Sequence, residues 1–347
     1  MGWEIIVKNC RTLAIPIKVK YQLMKNRFLY WVRIFKAYLL PSTSHLTFWH
    51  GEPEASDQKD YTFSKQYYMK FEYKAKYDGH FDESNIPILD YHGNIGKQYN
   101  PIAIAQYGLG NYNLFLSIGE KSYLTKFLNV ADWMTNSLEL NEHGIHVWNH
   151  HFDFEYRDTL KSPWYSGLAQ GLGLSVLIRA YLETNDSKYL EAHEKAWISM
   201  TKNVAEGGVL HIDSNGYYWI EEYIVDPPTS ILNGFIWAIW GVLDTHRFLN
   251  IKGAKRLFDR CIETLDKNLH KYDNGYWSLY DNPQLKLDNL ASPFYHKLHI
   301  TQMQILWEIT NNPRFKEFEK RWIGYESSLI KRNKAFIYKC IFKILHY

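Results

Sequence analysis

Residues 209–223 read Val209-Leu210-His211-Ile212-Asp213-Ser214-Asn215-Gly216-Tyr217-Tyr218-Trp219-Ile220-Glu221-Glu222-Tyr223. Two short alternating runs flank Asn-Gly, the dipeptide favoured where both central residues of a tight hairpin turn need positive φ. A hairpin is predicted here. On either side the period changes from two to the 3.6 residues of a helix, over 188–204 before it and 229–249 after it. The pattern recurs where Tyr272 and Tyr276–Tyr280 flank Asp273-Asn274-Gly275. Working outward, helical periodicity also covers 101–117, 122–139, 163–183, 252–269, 296–311 and 313–330. Asn185-Asp186 and Asn311-Asn312-Pro313 mark tight breaks between consecutive helices. Sequential antiparallel helix pairs, joined by hairpins at one end, close into a ring with a cleft at that end. The fold class is mainly α: an (α/α) toroid of about four helix pairs with β-hairpins at the cleft end.

Four regions are expected. Residues 1–60 are a basic N-terminal region, with a helical rhythm from Tyr21 to Leu40 that stops at Pro41. Residues 61–100, rich in Tyr, Phe, Gly and Asp, read as a β-rich segment. Residues 101–330 form the toroid, and 331–347 a basic amphipathic tail.

The chain carries 27 Tyr, 18 Phe and 13 Trp. So many rings serve either a helical core or a cleft in which rings stack on sugar faces. Net charge is +3, from 40 basic against 37 acidic residues, too weak to imply a nucleic-acid partner. The charge is uneven. Ile5 to Gly51 holds eight basic residues and no acid, and Lys331 to Tyr347 holds five and none. Cys10, Cys261 and Cys340 lack metal or disulfide spacing and read as reduced thiols. No run of eighteen apolar residues suggests a membrane span, and no secretory signal is read at the N-terminus. A cytoplasmic protein is expected.

Common catalytic motifs are missing: no Walker sequence, no dinucleotide fingerprint after a strand, no His-Glu-x-x-His. Gly167-x-x-x-Gly171-x-Gly173 lies inside a helical stretch and reads as close helix packing. His150, His151, Asp153 and Glu155 offer metal-ligand chemistry, but alternation along an edge strand is the simpler account. His296 and His299 sit three apart at a helix start, placed either to face a ligand or to pack. At loop ends stand Glu221-Glu222-Tyr223, Asn233-Gly234, Tyr280-Asp281 and Tyr295-His296. Each has a packing account on its own.

Together these pieces resemble the C-terminal domain of the D-glucuronyl C5-epimerase family. Asn100–Leu109, NPIAIAQYGL, is similar to that family's YPIQIAQYGL segment, and Pro163–Gly171, PWYSGLAQG, to its GWYSAMAQGQ. Arg179-Ala180-Tyr181-Leu182, Glu221-Glu222-Tyr223, Ile231–Phe235, Leu279-Tyr280-Asp281, Tyr295-His296, His299-Ile300, Phe315–Phe318 and Lys320-Arg321-Trp322 follow in order. The resemblance implies inversion at C5 of a hexuronic acid, D-glucuronate to L-iduronate, within a polysaccharide such as heparosan. It places Glu222, Tyr223, Tyr280 and Tyr295 as catalytic residues. It also places Asn233 against substrate. Trp164, Tyr165, Gln170, His296 and His299 are further expected substrate contacts, and without a convincing ligand set or the family's β domain no metal and no cofactor are expected.

Two departures stand out. The animal enzymes insert a calcium-binding β-sandwich after the AQYGL segment, for which the interval from Leu109 to Ala131 leaves no room. The family also has an arginine three residues after its second tyrosine, where this chain has Pro283. Lys286, Lys297 or another residue then becomes the candidate partner for the substrate carboxylate.

The chemistry suits these groups. The C5 proton is weakly acidic because ionising it places more negative charge beside a carboxylate. An enzyme must offset that charge, with a base on one face and an acid on the other. Glu222 is the expected base and Tyr295 the acid, with Tyr223 and Tyr280 steadying the intermediate. Neighbours in a strand face opposite ways, so Glu222 and Tyr223 share a site only if the strand ends there. A polysaccharide lyase begins with the same abstraction, and a non-catalytic glycan-binding module would keep the rings alone. The basic termini suggest an anionic inner membrane surface as a second partner, and a homodimer is a separate expectation.

Overall fold

The computed structural model describes residues 48–346 apart from 50, 59, 60, 62, 63, 92 and 283–287, and excluding the side chains of 343–346. The expectations for Cys10, Tyr21–Leu40, Pro283 and Lys286 lie outside these residues, and so does the side chain of Lys343. Everything described belongs to the unit Leu46–Tyr347.

Four consecutive helix pairs make the toroid. After the short α1 (Glu72–Ala75), they are α2 (Pro101–Ile118) with α3 (Lys121–Asn136), and α4 (Gly167–Thr184) with α5 (Ser187–Thr201). Then come α6 (Leu232–Asp244) with α7 (Ala254–Asn268), and α8 (Pro293–Thr310) with α9 (Pro313–Glu326). The first helix of each pair is inner: α2 packs on α4, α4 on α6, and α6 on α8. α4 is buried from Gly167 to Ala180 and α6 throughout. The outer helices bury one stripe each, as surface helices do. A last helix, α10 (Leu329–His346), follows α9. Among the described residues no helix is long and apolar enough to cross a membrane.

Local sequence explains the breaks. Asn185 ends α4 in the left-handed region, and the Asp186 side chain then accepts from Lys188 N to start α5. Asn311 ends α8 the same way, and Asn312 caps α9 with Pro313 at its first position. Asn tolerates positive φ, and Asx oxygens satisfy the free N–H groups of the next helix. Each two-residue unit therefore stops one helix and starts another.

The strands are short. β1 (His80–Phe81), β2 (Pro87–Asp90) and β3 (Lys97–Gln98) form an antiparallel sheet, which confines the strands expected over 61–100 to its second half. Between helix pairs, β4 (Glu139–Leu140) pairs with β5 (His146–Val147), and β6 (Asn149–His150) with β9 (Trp164–Tyr165). β7 (Phe154–Glu155) pairs with β8 (Thr159–Leu160), and β10 (Leu210–Ile212) with β11 (Tyr218–Ile220). The hairpin read at 209–223 forms, but with a different turn. Gly216 N donates to Asp213 O at 2.9 Å, and at the turn Gly216 alone has positive φ, 81°. A type I turn closed by a left-handed glycine has replaced the two-residue turn. The second expected hairpin shrinks to single bridges, Asp273 to Ser278 and Leu279 to Leu290. The helix expected from 163 starts at Gly167, because Trp164-Tyr165 is a strand.

The described residues between 51 and 75 pack against the inner helices. Thr301 Oγ1 on α8 donates to Pro53 O at 3.0 Å, and Tyr68 stacks on Trp240 of α6 at 5.0 Å. Beneath lies a buried ion pair. Arg179 Nη1 on α4 is 2.5 Å from Asp244 Oδ2 at the end of α6, both without solvent exposure. Asp244 also accepts from Tyr68 OH at 2.8 Å and Ser175 Oγ at 2.7 Å. Arg179 donates further to Lys65 O at 2.9 Å and Gln66 O at 3.2 Å. One pair thus ties two inner helices to the segment before them.

Breaking it leaves a buried charge without its counter-charge. Asp244→Ala is expected to cost about 3–5 kcal/mol in urea unfolding, and Arg179→Met with Asp244→Leu clearly less. A single variant as stable as the parent would show that the pair does not organise the ring.

Candidate active site

β11 ends at Ile220, so Glu221, Glu222 and Tyr223 leave the sheet one after another. Alternation no longer applies to them, which lets Glu222 and Tyr223 face one place. Two inner helices clamp this strand end. Gly167 N, at the start of α4, donates to Glu221 O at 2.9 Å, and a Cβ on Gly167 would lie 2.5 Å from that oxygen. Gly234, in the first turn of α6, lies against the Glu222 carboxylate, and a Cβ there would collide with Oε2.

Both carboxylates are buried, with different partners. Glu221 accepts from Ser230 N at 2.9 Å and Ser230 Oγ at 3.0 Å. Burial pushes its pKa up to about 7 against the pull of those bonds. Glu222 Oε2 has no hydrogen-bond partner. Burial raises Glu222 to about 8; a bond from the Tyr223 hydroxyl opposes the rise, and the neighbouring Glu221 adds to it.

Tyrosines surround this carboxylate. Tyr280 and Tyr295 meet edge to face, with centroids 4.9 Å apart. Tyr223 packs against Trp164 at 5.7 Å, Phe154 at 5.8 Å and Tyr156 at 4.7 Å. Tyr223, Tyr280 and Tyr295 are partly open to solvent yet deep among protein atoms. Burial first, and the Glu222 charge next, raise all three above the ordinary phenol value. They are neutral donors at physiological pH. The backbone holds Tyr280 on both sides: its N donates to Asn289 O at 2.8 Å and its O accepts from Leu232 N at 3.1 Å. Tyr295 lies in the first turn of α8, capped by Ser292 at 3.3 Å. The four residues expected to be catalytic thus act on one another electrostatically.

The expected substrate contacts divide. Trp164 is buried, stacks on His150 at 3.8 Å and backs Tyr223. Tyr165, next in the strand, points away, its hydroxyl donating to Gly207 O at 3.0 Å. Asn233 is buried with Oδ1 unpartnered, and Gln170 keeps Nε2 unpartnered while Oε1 accepts from Trp148 N at 3.4 Å. His296 takes the packing alternative. Its Nδ1 faces Ser278 Oγ at 2.8 Å, its Nε2 faces Trp322 O at 3.1 Å, and Trp277 stacks on it at 3.8 Å. His299 lies beside it, fully buried, with Nδ1 2.9 Å from the same Ser278 Oγ. Burial lowers His296 to about 3, so it stays neutral. Both histidines support the loop that carries Tyr280 and have no exposed atom to offer a ligand. Lys297, a candidate for the carboxylate, pairs instead with Glu52.

The four residues weighed as metal ligands point apart. His150 is buried under Trp164, His151 pairs with Glu139 at 3.2 Å, Asp153 with Lys161 at 2.6 Å, and Glu155 with Thr159 at 2.9 Å. Among the described residues no three His, Cys, Asp or Glu side chains gather as a metal site. Tyr156 and Ser230 were missed. Tyr156 had a signal in the sequence, since Phe152, Phe154 and Tyr156 fall on one face of the alternating run. Ser230 had none, because its role depends on a positive φ of 45°.

Comparison with known proteins places this geometry. Residues 140–324 match the family model described as D-glucuronyl C5-epimerase C-terminus. A D-glucuronyl C5-epimerase of Caenorhabditis elegans is 30% identical over 214 residues, 57% of this chain and 34% of that protein. An uncharacterized protein of Methanocaldococcus jannaschii is 30% identical over 204 residues, 58% of this chain and 65% of its own length. The chain spans less than two thirds of either relative. Cellobiose 2-epimerase from Spirochaeta thermophila shares the fold, with a TM-score of 0.50 at 11% identity over 88% of this chain and 86% of its own. With more than half of its length under that family model, the chain belongs to the family of D-glucuronyl C5-epimerase C-terminal domains.

Proposed function

We propose that this protein is a carbohydrate-processing isomerase that inverts C5 of a hexuronic acid unit within a polysaccharide, converting D-glucuronate to L-iduronate. The observation that carries this reading is the buried Glu222 carboxylate, with one oxygen unpartnered, among three neutral tyrosines. Glu222 as carboxylate takes the C5 proton. The electron pair left at C5 delocalises into the uronate carboxylate, toward which Tyr280 donates a hydrogen bond and Tyr223 turns its own once Glu222, its acceptor, has taken up the proton. Tyr295 returns a proton to the opposite face, and solvent restores both groups. A tyrosinate base fits less well, since burial and the Glu222 charge both disfavour the ionised phenol. In a lyase the same carbanion would expel the C4 substituent; incubation with heparosan in heavy water separates the two. Deuterium at C5 of an intact chain is expected, and unsaturated fragments without C5 exchange would replace this reading with the lyase.

Tyr295→Phe removes one oxygen and little packing. It is expected to lower C5 exchange by about 10²–10⁴-fold while substrate binding persists. Exchange within twofold of the parent would remove Tyr295 from the mechanism.

The base must be ionised, so kcat/KM for exchange is expected to rise with pH through about 8, the raised value of Glu222. Glu222→Gln should lose both the activity and this limb. The stability sign is opposite. A carboxyl whose folded pKa is raised stabilises the fold only while protonated, so that contribution fades as pH climbs from about 4.5 toward 8. A parent protein less stable than Glu222→Gln at pH 8 but not at pH 5 is the expected result; equal differences at both would contradict the assignment.

We also infer that the protein works at an anionic inner membrane surface. On α10, Ile330, Ile337 and Ile341 lie in one exposed stripe at 82%, 57% and 50%, with Lys334 among them. No acid follows Glu326. Such a face suits a headgroup layer, where each basic residue contributes on the order of 1 kcal/mol. Sedimentation with anionic vesicles at low salt should carry down the parent and not Ile330→Ser with Ile337→Ser. Equal sedimentation of both, or a dimer in solution that the substitutions dissolve, would show another occupant of the stripe.

A further inference from the structure

Tyr156 lies outside every motif that carries the family resemblance, yet the fold builds it into the site. It follows β7, half-buried, in the bend between β7 and β8. Its ring centroid is 4.7 Å from that of Tyr223. Its hydroxyl donates to Asp281 Oδ2 at 3.0 Å, across 125 residues of sequence. Asp281 directly follows Tyr280, so one side-chain bond links the neighbourhoods of two of the tyrosines assigned to catalysis.

The acceptor is itself held. Asn289 Nδ2 donates to the same Asp281 oxygen at 3.0 Å. Asn289 Oδ1 accepts from Lys339 Nζ at 3.1 Å, and Lys339 also donates to Leu290 O at 2.6 Å. The Asn289 backbone oxygen accepts from Tyr280 N at 2.8 Å. Lys339 belongs to α10, outside the four helix pairs. A continuous chain therefore runs from the last helix through Asn289 and Asp281 to Tyr156, and through ring contact to Tyr223. Its sense of donation is fixed. An ammonium can only donate, so Asn289 must present its oxygen to Lys339 and its amide hydrogens to Asp281. Asp281 as carboxylate can only accept, so Tyr156 must donate to it. The hydroxyl of Tyr156 then acts as acceptor on its other side, where the Thr229 side chain already donates toward it, and a lone pair is left for a donor from outside, such as a sugar hydroxyl.

We propose that Tyr156 is a further substrate-contacting residue, receiving a hydroxyl of the sugar bound against Tyr223, and that Lys339 positions it through Asn289 and Asp281. This rests on the polysaccharide reading of the site. The contact uses an oriented lone pair and the partly open face of the ring. It adds the C-terminal helix to the parts on which turnover depends, although no residue of that helix is assigned a contact with substrate.

The test combines turnover with binding. C5 exchange on heparosan and calorimetric binding of a heparosan oligosaccharide are measured for the parent, Tyr156→Phe, Tyr156→Ala, Lys339→Met, Lys339→Arg and the double variant Tyr156→Phe with Lys339→Met. Tyr156→Phe is expected to lower kcat about tenfold, and Tyr156→Ala to weaken binding about tenfold as well. Lys339→Met should reproduce the kcat loss of Tyr156→Phe, the double variant should be no worse than either, and Lys339→Arg should restore activity. Non-additivity of this kind marks one shared pathway. A helix that had merely loosened would give losses that multiply, and would overturn the positioning role. Parent-like kcat and Kd in both Tyr156 variants would overturn the contact. If the parent binds the oligosaccharide without C5 exchange, the epimerase reading falls, and the contact stands or falls on the Tyr156→Ala affinity alone.

Discussion

Helices α4 and α6 lie so close that their backbones touch. A Cβ on Gly171 would come 2.5 Å from the Ala238 Cα, and one on Gly241 would overlap the Gly171 carbonyl. Nothing larger than glycine fits at either point, and this closeness sets both ends of the molecule. At one end it brings Arg179 to Asp244, an ion pair too deep for water. At the other it narrows the space between the helix starts, so that the strand end at 221–223 is gripped by Gly167 on one side and Gly234 on the other. Side-chain-free contact is a rigid kind of packing, because no rotamer change can relieve it.

The grip explains how two glutamates stay buried side by side. Isolated buried carboxylates raise their pKa values or find partners. Glu221 finds Ser230, and its backbone is pinned from both α4 and Val209. Glu222 keeps one oxygen unpartnered and is pushed up to about 8. The pair thus separates by environment: one carboxylate is spent on architecture and the other left poised. Poised groups of this sort collect at functional sites, since only a rigid surround can hold them there.

Much of this was legible in the sequence. The helix pairs follow from periodicity, and their breaks from Asn-Asp and Asn-Asn-Pro, because capping is local chemistry. The glycine run in α4 read correctly as close packing. Turn type was less legible. Asn215-Gly216 suits more than one hairpin, and the pairing of Asp213 with Tyr217 selects the longer loop. Histidines were less legible still. Whether His296 faces a ligand or a tryptophan depends on Trp277 and Trp322, residues far away in sequence. Tyr156 went unseen because its partner Asp281 comes from the far side of the ring.

The ring has a further property. Consecutive helices alternate in direction, so the inner four all run the same way and begin at the hairpin end. Asn100, which caps α2, donates to the Tyr91 hydroxyl at 2.7 Å, and Tyr91 packs on Phe152 in the cluster beside Tyr223. α4 begins against Glu221, α6 begins against Glu222 and Tyr280, and α8 carries Tyr295 in its first turn. Each helix start holds the equivalent of about half a positive charge. Each inner helix lies beside an outer helix running the other way, so the dipoles cancel in part along their lengths, while the four inner starts all face the hairpin end. There the free N–H groups of these helix starts offset part of the negative charge of the Glu221 and Glu222 carboxyls packed against them, in a protein whose net charge is close to zero. A backbone contribution of this kind survives the exchange of any single side chain.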